Sequence, residues 1–188
     1  MGFTIAEKIL GAHAGGAPAN AGDVVVAQVD FAMIHDARAG NALKQIEKLG
    51  APPGDGALPF ATRVAFVLDH YSPPPHQEAA NIHREMRAFA ERHGAVLYDV
   101  GDGICHQVHF ESFSIPGQFV LGTDSHTPLC GSTGMLAIGA GGLDVAVAMG
   151  GGPYHVVMPR VTSVWLTGRL RPWVSAKDVI MELLRRYT

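Results

Sequence analysis

Five short runs of β-branched or apolar residues, separated by stretches of helical periodicity, constrain this chain more than any other feature. The runs are Asp23–Asp30 (DVVVAQVD), Arg63–Leu68 (RVAFVL), Ala95–Val100 (AVLYDV), Gln118–Leu121 and Val161–Leu166. Between the first two, Leu43, Ile46 and Leu49 recur at helical spacing, followed by the loop APPGDG, whose Pro and Gly forbid regular structure. A helix is expected from about His76, with Ile82, Met86, Phe89 and His93 on one face and Gly94 at its end. Ser132 to Met149 reads as another helix whose glycines permit close backbone approach. Ser175 to Asp178 resembles a capping box opening a last helix, with Val179, Ile180, Leu183 and Leu184 as its core stripe. Strands alternating with helices give an α/β layered domain with a largely parallel sheet.

Composition closes off several classes. A net charge of -3 and a pI near 6.3 offer no electrostatic footprint for nucleic acid or an anionic membrane. The N-terminus, MGFTIAEKIL, lacks the basic and apolar regions of a signal peptide. The weakly polar stretch Leu129 to Leu143 is too short to span a bilayer. Two cysteines, Cys105 and Cys130, make no disulfide framework. A cytoplasmic protein is the expectation.

The ends of the apolar runs carry unusual chemistry. FVLGTDSHTP, from Phe119 to Pro128, stops at Asp124, Ser125 and His126, three side chains able to move protons. His35-Asp36, Asp69-His70 and His106 likewise lie at or just past strand ends. In open α/β sheets, functional groups gather beyond the carboxyl ends of the strands, so a parallel sheet would bring these onto one rim. An Asp bonded to an imidazole fixes its tautomer and favours its protonated form, as proton transfer to a leaving hydroxyl requires. A lone histidine at a strand end is commonly structural, and an Asp there is commonly a cap. Four such sites after successive strands favour function.

Other features read more plainly. The run GAGG at Gly139 to Gly142 has no phosphate-loop spacing and suits close packing. Cys130 suits an ordinary buried thiol. His76, His83 and His93 are expected at the surface or its boundary, while His109 and His155 stay ambiguous.

Taken in order, HDARAG, LDHYSPP, GICHQV, GTDSHT and LTGRL-x5-AKDVI resemble the first domain of the aconitase superfamily, from about Asp23 to Leu184. HDARAG is closer to the large-subunit branch of 3-isopropylmalate dehydratase and homoaconitase than to aconitase, which has Gln where this chain has His35. The resemblance implies a three-layer α/β/α domain of a hydro-lyase that dehydrates and rehydrates hydroxy di- or tricarboxylic acids around a 4Fe-4S cluster. It implies that Asp69 and His70 assist departure of hydroxyl and that His106 and Asp124 form a second pair. Ser125 would bind a substrate carboxylate, with His126 beside it, and His35 would contact substrate.

The same resemblance marks what is missing. Three cysteines hold the family's cluster, and neither Cys105 nor Cys130 falls at a ligand position. The expectation is therefore a single α/β domain over residues 1–188, the N-terminal portion of a longer hydro-lyase, inactive alone. It would hold no cluster itself and would act with the remaining domains or a small subunit. Two other readings stay open on the residues alone: a non-catalytic carboxylate-binding or scaffolding module, and an enzyme using a single metal ion held by the His and Asp groups.

Overall fold

Phe31–His35 is the strand around which everything else is arranged, and it is buried along its whole length. In the computed structural model, which describes residues 2–49 and 63–187, this strand (β2) lies at the centre of a five-stranded sheet. The others are β3 (Val64–Val67), β4 (Val96–Tyr98), β5 (Phe119–Gly122) and β6 (Leu136–Gly139). Their order is β4-β3-β2-β5-β6, and every pair is parallel. A separate antiparallel pair joins β1 (Val24–Ala27) to β7 (Tyr154–Val157). The loop 51–56 lies outside the described residues.

Alternation along the strands builds the layers, because successive side chains point to opposite faces. Ala32, Ile34, Val64, Phe66, Phe119 and Leu121 share one core with Leu10, Leu43, Met86 and Met149. Those four come from α1 (Ile5–His13), α2 (Asp36–Lys48), α3 (Gln77–His93) and α5 (Gly142–Met149). Residues of the opposite parity, Phe31, Met33, Ala65, Val67 and Val120, meet Cys105 and Phe110 of α4 (Cys105–Ser112) and Cys130 of the 3-10 segment Thr127–Thr133. This is the expected α/β/α arrangement. Each fully buried large apolar side chain contributes roughly 1.5–3 kcal/mol.

Helix ends follow local chemistry. Thr4 and Glu7 make a reciprocal capping box on α1. The His76 ring accepts from the Ala79 N–H to cap α3, which ends at Gly94 with φ 70°.

Four expectations need correction. The run Asp23–Asp30 supplies only β1, outside the main sheet; the central strand is β2, whose unbroken apolar run is the mark of burial on both faces. Ser132 to Met149 is not one helix: it is the end of the 3-10 segment, then β6, then α5, broken at Gly134 (φ 88°). Val161–Leu166 forms no strand, because no described strand lies alongside to complete a ladder. The last helix, α6 (Ala176–Tyr187), has its apolar stripe but buries none of it. Its start is held by the Asp178 carboxylate, which accepts from the Ser175 N–H and hydroxyl, so only the return half of a capping box forms.

Candidate active site

β3, β2 and β5 lie side by side and parallel, so their carboxyl ends open on the same edge of the sheet. His35 is the last residue of β2, Asp69 and His70 follow β3, and Asp124, Ser125 and His126 follow β5. His106 arrives from the first turn of α4. The parallel register thus brings all seven residues named from the sequence into one connected set.

Asp124 is the centre of that set. Its Oδ1 lies 2.9 Å from His106 Nδ1 and accepts from the His126 N–H at 2.9 Å. Its Oδ2 lies 3.6 Å from His70 Nε2, and His126 Nδ1 is 3.8 Å from Oδ1. Burial works against charge on Asp124, but the His126 N–H and the His106 imidazole outweigh it and hold the carboxyl below its ordinary range. His70 also meets Asp69, Nδ1 to Oδ1, at 2.8 Å, while the other Asp69 oxygen accepts from the Cys105 N–H at 2.7 Å. Ser125 Oγ stands 3.2 Å from His126 Nδ1, and the His126 side chain is 74% exposed.

His35 is the buried member. Its ring stacks on His70 with centroids 3.8 Å apart, and Nε2 donates to the Thr123 carbonyl at 3.2 Å. Burial, and then the neighbouring His70, push its pKa down, so the neutral ring is favoured. Nε2 therefore carries the proton, and Nδ1 is a buried acceptor with no donor in reach.

Two glycines make the tight turn at Asp124 possible. A Cβ on Gly122 would run into the Thr127 side chain, whose hydroxyl donates to the Asp124 carbonyl at 2.6 Å. A Cβ on Gly139 would stand 2.9 Å from that same carbonyl oxygen. Beside them a cavity of about 560 Å³ is bounded by Asp124, Ser125, Pro128 and the end of β6.

Two kinds of metal centre would make different demands on these donor groups. A 4Fe-4S cluster needs three thiolates. Cys105 and Cys130 are the two cysteines of the chain, and both are buried. Burial and the nearby Asp69 drive the Cys105 thiol well up, and burial pushes Cys130 to about 11. They do not fit a cluster. Two groups have donor atoms within 4.8 Å of one another: His35, Asp36, Asp69 and His70; and Cys105, His106 and Asp124. Asp36 already accepts from four donors, which leaves His35, Asp69 and His70 of the first group with donor atoms to offer.

Two histidines depart from expectation, while His76 is exposed as expected. His83 and His93, expected at the surface or its boundary, are 2% and 5% exposed. Ala79, His83, Met86, Ala90 and His93 form one buried stripe of α3, a helical spacing already visible in the sequence. His83 Nε2 bonds Asp36 at 2.8 Å. His76 caps α3 and has no contact with the rim among the hydrogen bonds described. The roles of Asp36, His83, Thr123 and Thr127 were not anticipated from the sequence, because they depend on β2 being the central strand.

The sequence profile of the Aconitase family (aconitate hydratase) matches residues 7–188. The homoaconitase large subunit of Thermus thermophilus is 40% identical over 189 residues, covering 100% of this chain and 44% of that protein. A 3-isopropylmalate dehydratase large subunit of Deinococcus radiodurans is 40% identical over 184 residues, covering 97% of this chain and 41% of its own length. Another, from Thermotoga maritima, is 37% identical over 185 residues, covering 98% and 43%. The chain spans less than half the length of these relatives.

Proposed function

The chain belongs to the aconitase family, and on that premise we propose that its rim is one wall of a hydro-lyase active site acting on a hydroxy di- or tricarboxylic acid. The intact enzyme would be of the 3-isopropylmalate dehydratase or homoaconitase kind. The single observation that carries this reading is the alternation Asp69, His70, Asp124, His106, in which each acid lies beside an imidazole.

Loss of water from a hydroxy acid needs a proton delivered to the departing oxygen and a charge held steady beside it. His70, between Asp69 and Asp124, is placed to deliver that proton, and the two carboxylates stabilise the imidazolium that would give it up. His106, bonded to Asp124 through Nδ1, is the second proton carrier. Ser125, with an exposed side chain at the cavity, is the donor for a substrate carboxylate, and His126 extends over the same opening. The neutral His35, stacked behind His70, contacts the substrate edge and keeps the His70 ring in plane.

The cluster implied by the family resemblance finds no ligands here, so no step is assigned to it. Its cysteines would come from a further part of the protein, and a small subunit would complete the substrate pocket. Exposed apolar residues support this incompleteness. Trp165, Leu166 and Trp173 are 86%, 72% and 103% exposed, and α6 buries nothing.

The test is anaerobic purification from the native source, following conversion of a hydroxy acid to its unsaturated product by ultraviolet absorbance. Activity should travel with a polypeptide or assembly heavier than the 19.9 kDa of this chain. A 19.9 kDa species alone, turning over no hydroxy acid, would overturn the proposal.

A further inference from the structure

Asp36 is fully buried, yet its carboxylate is saturated with donors from three directions. Oδ1 accepts from the N–H of Ala37 at 2.9 Å and of His70 at 3.1 Å. Oδ2 accepts from the Tyr71 N–H at 2.9 Å and from His83 Nε2 at 2.8 Å. Asp36 sits in the first turn of α2, where a negative charge is favoured by the helix dipole. His83 reaches it from α3, buried within the core stripe. No oxygen of Asp36 is left for substrate, so it moves no proton in the reaction.

We infer that Asp36 and His83 are positioning residues, which clamp the backbone after β3 so that the Asp69–His70 pair is held over the rim. The inference rests on the reading of Asp69 and His70 as the working pair. Leu68 pairs with the Tyr98 carbonyl at the end of the sheet ladder, and beyond it the chain turns through Asp69, His70 and Tyr71. Two successive N–H groups of that turn, on His70 and Tyr71, find their acceptor on Asp36. The turn is thereby locked to α2 by two backbone bonds that engage neither the His70 ring nor the Asp69 carboxylate. A buried carboxylate keeps this geometry only while its oxygens stay hydrogen-bonded. His83, on the neighbouring helix, supplies the fourth donor without touching the rim.

Among the described hydrogen bonds, Asp36 is the sole side chain that receives those two amides. Neighbouring turns anchor differently. Asp124 receives the His126 N–H within its own loop, and Asp99 receives the Val100 N–H next to it. In the Asp69–His70 turn, two backbone amides are held by a side chain of α2.

The test uses this chain and two substitutions of similar volume. His83→Gln keeps a side-chain N–H for Asp36, whereas His83→Met removes it. Amide hydrogen exchange is followed at His70 and Tyr71, with Phe66 and Val120 as core references, and the His70 ring is observed by nitrogen-15 NMR. In His83→Met, the two turn amides should exchange on the order of tenfold faster while the core references hold. The His70 ring should lose its fixed Nδ1–H signature. His83→Gln should restore both. Equal acceleration at the core references, or an unchanged His70 signal in His83→Met, would overturn the inference. No hydroxy acid enters this experiment, so its failure is distinct from failure of the proposed reaction.

Discussion

His70 Nε2 lies 3.6 Å from the Asp124 carboxylate, joining two loops that leave the sheet on opposite sides of β2. The contact links two acid–imidazole pairs into the proposed relay, since His70 also meets Asp69 and Asp124 also meets His106. A sheet with parallel strands brings such loops together at no cost in extra structure, because adjacent strands end on the same edge.

Asp124→Asn keeps the size of the side chain and removes its charge. Both His70 and His106 lose a carboxylate, so turnover by the intact enzyme should fall by roughly 10²–10⁴-fold. Steady-state kinetics check this, beside a thermal melt showing that the variant folds. Turnover within a factor of two of the parent would rule out the relay.

Gly122→Ala and Gly139→Ala probe the turn that presents Asp124. Each added Cβ meets Thr127 or the Asp124 backbone, neither of which can yield without moving the carboxylate. A destabilisation of about 1–3 kcal/mol is expected from such overpacking, measured by denaturant unfolding. Gly117→Ala is not a suitable reference, since its φ of 90° is itself strained for alanine; Gly142→Ala, where a Cβ meets nothing within 4 Å, is.

His109 sets an acid limit on stability. Its ring is 1% exposed, wedged against Phe31 and Phe113, with neither nitrogen partnered. Burial pushes its pKa from 6.5 to about 4, so the folded state keeps it neutral where the unfolded chain protonates it. Stability from this residue is present above about pH 6.5 and is lost as pH falls towards about 4, where the unfolded state binds the extra proton. The loss is on the order of 3 kcal/mol. His109→Leu should flatten the decline between these limits in urea unfolding series; an unchanged slope would contradict the assignment.

Trp165 and Trp173 stand almost wholly in solvent, with Leu166, Ile180 and Leu184 also exposed. A surface of this kind binds hydrophobic dye and drives self-association. Trp165→Ser with Trp173→Ser should lower dye fluorescence markedly and shift sedimentation towards monomer. A parent chain that is already monomeric and binds no dye would remove the case for a covered face.

The legibility of the sequence varied with the physics of each segment. β3, β4 and β5 and the rim residues after them were readable, because β-branched runs bounded by polar groups are a local signal. The central strand was not: Phe31–His35 is buried on both faces, so it lacks the alternation that distinguishes a strand from a helix entry. Asp36 reads from the sequence only as one more strand-end acid, and becomes a helix-start anchor once His35 ends a strand. His83 was missed for a different reason. Its helical spacing with Met86 and Ala90 pointed inward, but a buried histidine makes sense only when its partner is known, and Asp36 is remote in sequence. Val161–Leu166 shows the converse, a strand-like pattern with no described neighbour to pair with.

The central claim is that this rim receives a hydroxy acid, and the most direct measurement is an NMR titration of the chain with isopropylmalate, using succinate as the comparison without a hydroxyl. The account predicts saturable shifts at His35, His70, His106 and Ser125, larger for the hydroxy acid than for succinate, and lost in Asp124→Asn. Shifts scattered away from the rim, or equal responses to the two acids, would contradict it.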